Sequence, residues 1–440
     1  MHRQYALYII YVLLIVVGAV GCERTLPMPV EPTPLPQAAL SPLSPTPTLI
    51  APEGQRLILW HTLSGPEELA VQHIVDGFNQ ENEWGIQITV EAVATLSDLE
   101  ANLTAAIQAG QLPDLLIVPD STLPELLAMQ AVAQDVANWV GNEEWHLDQR
   151  VERDLFLNAF PSGDVVDHQG YVAVPMSFDV VALMYTPSSL RQARLTAPPS
   201  TWDEFEVACQ AFQERTQPCL TFQPRADVIL NLAWALGSTY PPSSEASPSP
   251  EEDEGLLLTA TLLRALADNG AILPQNVPTE VMQAVLDAEA AFGIESTAVM
   301  EGVDDEHWAV APLPSLSDKP VMLASSPLLV MLATHDINRK VASWLFIRTY
   351  LSSPESQAIV ALAANAFPIS RRAAEEVAVS SRWSPPMKAL LPWLSAARAR
   401  PLSPQWAAIS PVVEEVAVQL LNRELTPQEA INMLTESNTP

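Results

Sequence analysis

The chain of 440 residues carries 52 acidic and 21 basic side chains, which gives it a formal net charge of -31. So large an excess of negative charge argues against binding to nucleic acid and against adsorption on anionic lipid. The length exceeds what one ordinary hydrophobic core accommodates, and it is typical of two domains.

The first 22 residues have the pattern of a secretory signal. Arg3 precedes an apolar run over residues 5–20, and small residues lead from there to Cys22. This order is typical of a signal peptide. Because a cysteine stands at the cleavage position, we predict a lipoprotein signal over residues 1–22, with Cys22 as the acylated N-terminus. The alternative is an uncleaved membrane anchor, and both interpretations place the remaining chain outside the cytoplasm.

Residues 23–54 are predicted to be a tether. Nine prolines occur between positions 27 and 52, with serine and threonine among them. Proline interrupts helices and central strands and favours the extended polyproline II conformation. At about 3.1 Å per residue, such a segment spans on the order of 90 Å. It would hold a folded body away from the membrane surface.

The body begins with alternating strands and helices. A predicted strand over residues 57–60 precedes a helix with a capping box formed by Ser64 and Glu67. A second strand covers residues 86–90, and Ser97 is predicted to cap the next helix. A third strand at 114–118 precedes a helix at 123–130. This alternation predicts an α/β fold with a parallel, doubly wound sheet.

Polar side chains follow two of these strands at their carboxyl ends. In open parallel sheets, ligands bind beyond that edge. We therefore expect a binding site at this edge, made by the following side chains: Thr62, Ser64, Asp120 and Ser121.

The middle of the chain contains a second apolar segment over residues 171–185 and a helix capped by Thr201. Cys209 and Cys219 are close in sequence, and in an oxidising exterior we favour a disulfide between them over two buried thiols. Residues 240–254 combine proline, serine and acidic residues, which predicts an exposed loop.

The last part of the chain is mainly helical. Thr426 begins a capping box for the final helix. The predicted elements are strands at 307–313 and 321–332, helices at 339–351 and 354–364, and two more helices over 406–436.

Several segments resemble the family 1 extracellular solute-binding proteins, which are ABC-importer receptors related to maltose-binding protein. The segments are residues 59–68, 112–116, 170–185, 199–205, 308–314, 342–368 and 426–430. They occur in the family's order along nearly the whole body. The resemblance implies a two-lobed, periplasmic-binding-protein-like fold of type II, whose lobes close about a hinge. The first lobe would comprise residues 55–178 and 318–365, and the second residues 179–317 and 366–440.

The resemblance also implies particular binding residues. Sugar binding requires aromatic faces for the ring, and carboxylates or amides for the hydroxyls. Asp179, at a lobe crossing, would bind a hydroxyl; its alternative role is a structural cap at the hinge. Trp406 matches a tryptophan that stacks on sugar in relatives, with lobe packing as its alternative. Trp234 belongs either to the cleft or to the core. Relatives often carry a stacking aromatic residue after the position of Gly302; here it is either lost or replaced by Trp308.

The expected function is a tethered, monomeric receptor that captures a small solute, with carbohydrate as the leading class. It would deliver this solute to the subunits of an ABC permease. The sequence contains no Gly-rich phosphate loop, no GxSxG elbow and no HExxH motif. We therefore expect no enzymatic activity, no cofactor and no metal. The alternatives are a sensing or surface-adhesion lipoprotein, or a glycoside hydrolase with two cleft carboxylates.

Overall fold

The computed structural model describes residues 50–129, 144–165, 168–171, 173–241, 248–300, 307–316, 319–332 and 336–437. The predicted signal peptide, Cys22 and residues 23–49 of the predicted tether lie outside the described residues. Residues 50–440 belong to one compact unit.

The strands of the described residues form the framework of the molecule. In chain order they are β1 (Arg56–His61), β2 (Gln87–Ala92), β3 (Leu115–Pro119), β4 (Ser162–Val165), β5 (His168–Tyr171), β6 (Val174–Pro175), β7 (Asp179–Tyr185), β8 (Leu220–Phe222), β9 (Ile272–Pro274), β10 (Phe292–Ser296), β11 (Ala309–Ala311), β12 (Met322–Ser325), β13 (Pro327–Met331) and β14 (Ala397–Ala399).

Helices cover both sheets. They are α1 (Gly65–Glu81), α2 (Leu96–Ala109), α3 (Leu123–Ala128), α4 (Gln149–Asp154), α5 (Pro187–Gln192), α6 (Trp202–Gln213), α7 (Ala226–Ala235), α8 (Glu254–Asp268), α9 (Pro278–Leu286), α10 (Ile337–Ser352), α11 (Pro354–Ala364), α12 (Arg371–Val379), α13 (Pro385–Lys388), α14 (Pro404–Leu421) and α15 (Pro427–Ser437). Short 3₁₀ helices occupy Asp120–Thr122, Leu157–Ala159, Thr297–Met300 and Leu391–Ala396.

The first sheet has the strand order β2-β1-β3-β13-β6. Strand β1 runs parallel to β2 and β3, as predicted. Strand β13, however, runs antiparallel to both β3 and β6, so the prediction of a wholly parallel sheet is wrong. The reason is its connection: β13 follows β12 of the other sheet after Ser326 alone, and it therefore enters the first sheet from the carboxyl edge of β3.

The second, larger sheet has the order β14-β12-β7-β10-β8-β9, with β11 also paired to β7. Strand β7 is antiparallel to β12 and β10, whereas β8 is parallel to β10 and β9. The predicted boundary at residue 318 assigns β12 to the first lobe, but β12 pairs within the larger sheet. Together the two sheets give the two-lobed α/β architecture that the resemblance implied.

Helix caps explain where several helices begin. Helix α1 starts after Ser64 as predicted, but the Ser64 side chain makes no capping hydrogen bond, so that part of the prediction is wrong. Helix α2 is capped by Thr95, because its hydroxyl accepts from the Asp98 amide at 3.1 Å and donates to the Asp98 carboxylate at 2.6 Å. The prediction that Ser97 caps this helix is therefore wrong by two residues.

Two other caps confirm the sequence prediction. Thr201 accepts from the Glu204 amide at the start of α6. Thr426 and Glu429 form a reciprocal box: the Thr426 hydroxyl accepts from the Glu429 amide, and the Glu429 carboxylate accepts from the Thr426 amide at 2.8 Å. Each pair satisfies amides that a helix end leaves without a partner.

The second lobe has two further local constraints. Cys209 on α6 is bonded to Cys219 next to β8, which confirms the predicted disulfide. In the predicted exposed loop 240–254, Pro248, Glu251, Glu252 and Glu254 are exposed, whereas Tyr240, Pro250 and Asp253 are buried. Residues 242–247 lie outside the described residues. Asp253 holds one end, because its carboxylate accepts from the Ser238 hydroxyl at 3.0 Å and from the Leu256 amide at 2.8 Å.

Candidate functional site

Two chain crossings bring the carboxyl edges of the two sheets together. Strand β6 ends at Pro175 and β7 begins at Asp179, while β12 ends at Ser325, directly opposite Asp179 in the larger sheet. The residues between them are buried, and Phe178 exchanges two backbone hydrogen bonds with Phe367 at 2.9 and 2.8 Å. Ligands of open α/β sheets bind at such edges, so the candidate site lies between the lobes.

Asp120 stands at the edge of the first sheet, directly after β3. Its amide donates to the Ser326 carbonyl at 3.0 Å, and its Oδ2 accepts from the Ser326 amide, also at 3.0 Å. Burial raises the pKa of the Asp120 carboxyl from 3.8 to about 6, although the nearby Arg400 guanidinium acts in the opposite direction. Asp120 is thus an acid that the fold positions and removes from water.

Arg400 connects Asp120 to the second lobe. Its Nη1 lies 3.4 Å from Asp120 Oδ1, and its Nη2 lies 3.3 Å from Asp227 Oδ1. Asp227 belongs to α7, which follows β8, and Arg400 itself follows β14; both strands belong to the larger sheet. The guanidinium therefore joins carboxylates of the two lobes.

A second ion pair extends this arrangement. Arg225, at the N-terminus of α7, pairs through Nη2 with Oε1 of the fully buried Glu295 on β10. Burial raises the pKa of Glu295, and Arg225 opposes that effect. The negative charge of Asp227 also raises the pKa of both Asp120 and Glu295, which couples the two sets of ion pairs. We call these five side chains the cleft ion network: Asp120, Arg225, Asp227, Glu295 and Arg400.

The cleft ion network has hydrogen-bonding capacity beyond its internal contacts. Glu295 Oε2, Arg225 Nε and Arg400 Nε are buried and have no hydrogen-bond partner among the described residues. Such atoms are uncommon in folded proteins, because an unmade hydrogen bond in the interior costs free energy. Their hydrogen-bonding capacity is unused in this arrangement of the chain.

Asp179 lies at the start of β7, on the same edge. Its Oδ1 accepts from the Thr297 hydroxyl at 2.9 Å, and that hydroxyl also accepts from the Val180 amide at 3.1 Å. The residue is partly exposed. This position is compatible with both interpretations of Asp179, the binding of a ligand hydroxyl and a structural cap at the crossing.

The other predicted polar residues lie on the first-lobe rim. Ser64 and Ser121 are exposed, and Thr62 is half-buried. The neighbouring His61 is buried, its Nδ1 accepts from the Leu63 amide at 3.1 Å, and burial lowers its pKa. The contact shows that His61 shapes the loop that presents Thr62 and Ser64.

The three predicted tryptophans are buried. Trp406 is 2% exposed and packs edge-on against Tyr240 in the core of the second lobe. Trp308 packs among core residues, and Trp234 donates to the Tyr240 carbonyl at 2.8 Å while the Arg398 guanidinium lies 4.0 Å from its ring centre. The packing alternative accounts for the positions of Trp406 and Trp234, and Trp308 is likewise buried in a core. Stacking of any of the three indoles on a solute stays a prediction.

Four of the five residues of the cleft ion network, Arg225, Asp227, Glu295 and Arg400, were not predicted from the sequence. Arg225 and Asp227 follow β8 in the same way that Asp120 follows β3. The expectation that ligands bind beyond the carboxyl ends of strands would therefore have selected them, had the three-residue β8 been predicted. Glu295 lies within an apolar strand, where an acid needs a partner. Arg400 follows the three-residue β14, which offers no clear pattern, and its partners lie far away in the sequence.

Two further findings concern the described part of the chain. Within it, no three His, Cys, Asp or Glu side chains converge in the manner of a metal site. No helix in these ranges combines the length and the apolar character needed to cross a membrane.

Replacing Asp120 by asparagine should change how stability depends on pH. Because folding raises the pKa of Asp120, its contribution to the free energy of unfolding falls as pH rises from about 4 to about 6. Asparagine does not titrate, so the Asp120→Asn protein should gain stability relative to the unchanged protein across this window, and the difference should level off above it. Urea unfolding at a series of pH values measures this difference.

The control for this measurement is Asp203→Asn, which alters an exposed acid on α6. It measures what exchanging a carboxylate for an amide does at an exposed position of the second lobe. A constant difference for Asp120→Asn would show that burial does not shift the titration of Asp120.

Comparison with known proteins identifies the family. The sequence profile described as bacterial extracellular solute-binding protein matches residues 73–387. No curated protein sequence matches the chain significantly.

Solved structures resemble the fold over most of its length. The cyclic alpha-maltosyl-1,6-maltose binding protein of Arthrobacter globiformis is 18% identical, with a TM-score of 0.71 over 87% of this chain and 97% of that one. The sugar-binding protein MalE of Xanthomonas citri is 20% identical, with a TM-score of 0.66 over 87% and 96%. The maltose/maltodextrin-binding domain MalE of Bdellovibrio bacteriovorus is 16% identical, with a TM-score of 0.58 over 87% and 98%. Since the family profile covers well over half of the chain, this protein belongs to the bacterial extracellular solute-binding proteins.

Proposed function

We propose that the protein binds a sugar or an oligosaccharide in the cleft between its two lobes. The observation that carries this proposal is the meeting of the two strand edges at Asp120 and Asp179, beside the hydroxyls of Thr62, Ser64 and Ser121. Carboxylates accept hydrogen bonds from sugar hydroxyls, and protein hydroxyls both donate and accept. A site of this composition suits a ligand with many hydroxyl groups.

The structural neighbours support the same solute class. The Arthrobacter protein is a cyclic alpha-maltosyl-1,6-maltose binding protein, and the Bdellovibrio domain was solved bound to maltotriose. The cleft ion network adds charged hydrogen-bonding groups, which hold polar ligands more strongly than neutral groups do. Carbohydrate is therefore the ligand class to test first.

The same proposal includes delivery and anchoring. The protein would work outside the cytoplasm, attached through lipid on Cys22, with residues 23–54 as a tether. After closing on its solute, it would deliver it to the membrane subunits of an ABC permease, where ATP hydrolysis by partner subunits drives transport. The family to which the chain belongs supports the extracellular location.

A calorimetric titration with mono- and oligosaccharides tests solute binding. A carbohydrate ligand present at about 100 times its dissociation constant should stabilise the protein by roughly 2.7 kcal/mol, so thermal unfolding provides a parallel readout. Amino acids and polyols are the controls. Binding of an amino acid, with no response to any sugar by a folded protein, would contradict the proposed solute class.

Asp179→Ala should weaken sugar binding by about 1–3 kcal/mol, or about 5- to 150-fold in the dissociation constant, because it removes hydrogen-bond acceptors for ligand hydroxyls. The matched control is Asp203→Ala, an exposed acid of the same lobe, which should leave affinity unchanged. Unchanged affinity with lowered stability in Asp179→Ala would assign this residue a purely structural role at the crossing.

The unchanged chain should be labelled by an alkyne fatty acid in a bacterial host, and Cys22→Ser should abolish this labelling, because the residue that carries the acyl chains is gone. Mass spectrometry of the unchanged chain should show an N-terminus at Cys22. An unlabelled unchanged chain that retains residues 1–21 would show that the anchor is an uncleaved N-terminal segment instead.

A further inference from the structure

The segment over residues 400–402, Arg-Pro-Leu, leaves the larger sheet and reaches the first lobe. Its start belongs to the second lobe, since the Arg400 amide donates to the Ala324 carbonyl of β12 at 3.0 Å. Its two outer side chains, however, contact the first lobe in different ways. Arg400 makes an ionic contact, and Leu402 makes an apolar one.

The ionic contact is partly removed from water. Arg400 Nη1 lies 3.4 Å from Asp120 Oδ1 in the first lobe, and Nη2 lies 3.3 Å from Asp227 Oδ1 in the second. The three side chains expose only 19%, 9% and 16% of their surfaces, respectively. Such a pair is screened less by salt than an exposed pair. Breaking it would leave the largely buried Asp120 with one compensating contact fewer.

The apolar contact lies against the core of the first lobe. Leu402 is 6% exposed and belongs to a hydrophobic cluster built from α2, β3, α3 and β13. The other buried leucines of this cluster are Leu99, Leu103, Leu116, Leu123, Leu126, Leu328 and Leu332. Helix α14, which follows the segment, also contacts α3.

We propose that residues 400–402 form an interlobe clasp, in which Arg400 and Leu402 hold the two lobes in the arrangement of this structure. A movement of one lobe that carried Arg400 away from Asp120 would also return the Leu402 side chain to water. Both changes cost free energy, so the clasp shifts the equilibrium between lobe arrangements toward the one described. The clasp thereby positions the cleft residues of both lobes against each other. This inference goes beyond solute binding, because it concerns the protein without ligand.

Distance measurement by pulsed electron paramagnetic resonance tests the clasp without any ligand. Spin labels are attached to Ala105→Cys on α2 and Ala265→Cys on α8, both exposed positions, one in each lobe. The full chain is used with Cys22→Ser, so that the other cysteines are those of the disulfide. The label pair should report a predominant short distance. In Arg400→Gln and in Leu402→Ala, the ratio of the longer-distance to the shorter-distance population should rise about fivefold or more.

Two comparisons separate a clasp from a general structural role. Arg398→Gln removes a guanidinium two residues before Arg400, on β14. This guanidinium lies over Trp234 of the second lobe, so the variant should leave the distance distribution unchanged. Arg400→Lys keeps the charge and should restore part of the short-distance population. Thermal unfolding of each labelled variant establishes that it is folded at the temperature of measurement.

The clasp is overturned if folded Arg400→Gln and Leu402→Ala proteins give the distance distribution of the unchanged chain. It is also overturned if Arg398→Gln lengthens the distance as much as Arg400→Gln does. Neither result bears on sugar binding, which the titration measures separately.

Discussion

The arrangement of the two lobes depends on the reciprocal hydrogen bonds between Asp120 and Ser326, which lie where the chain passes from the larger sheet to the first sheet. Ser326 is the single residue between β12 of the larger sheet and β13 of the first sheet, and Asp120 directly follows the neighbouring strand β3. Pairing them fixes where one sheet ends and the other begins. It also draws the Asp120 carboxyl out of water, and this burial creates the need for a cationic partner, which Arg400 supplies from the second lobe.

The charge distribution around this point is unlike that of the chain as a whole. With a net charge of -31, the chain has far more acidic than basic side chains, so most of its acids have no basic side chain available as a partner. In the cleft ion network, by contrast, Arg225 and Arg400 neutralise most of the charge of Asp120, Asp227 and Glu295. The indoles of Trp234, Trp308 and Trp406 lie in the hydrophobic cores. Apolar packing also joins the two lobes, because one buried cluster contains Leu57 and Ile117 of the first sheet together with Val180 and Met322 of the larger sheet. The cleft ion network adds ionic contacts to this apolar junction.

Local pattern was enough to predict the features that local chemistry controls. The expectation that ligands bind beyond the carboxyl ends of strands selected Asp120 as a candidate. The capping box follows from Thr426 and Glu429, which are three positions apart. The direction of β13 could not be predicted, because it depends on a crossing from a different sheet. Trp406 was ambiguous for a related reason: an aromatic residue at the start of a helix has the same local pattern in a core and in a cleft. Arg400 was missed because its partners Asp120 and Asp227 are distant in sequence, and only the folded chain brings them together.

The disulfide between Cys209 and Cys219 links the final folding of the second lobe to the export of the protein. It ties α6 to the entry of β8, and the other end of β8 leads directly to Arg225 and Asp227. Thiols stay reduced in the bacterial cytoplasm and become oxidised only after export. The second lobe thus receives this covalent link only after export, so the final fold of α6 and β8 is linked to arrival outside the cytoplasm.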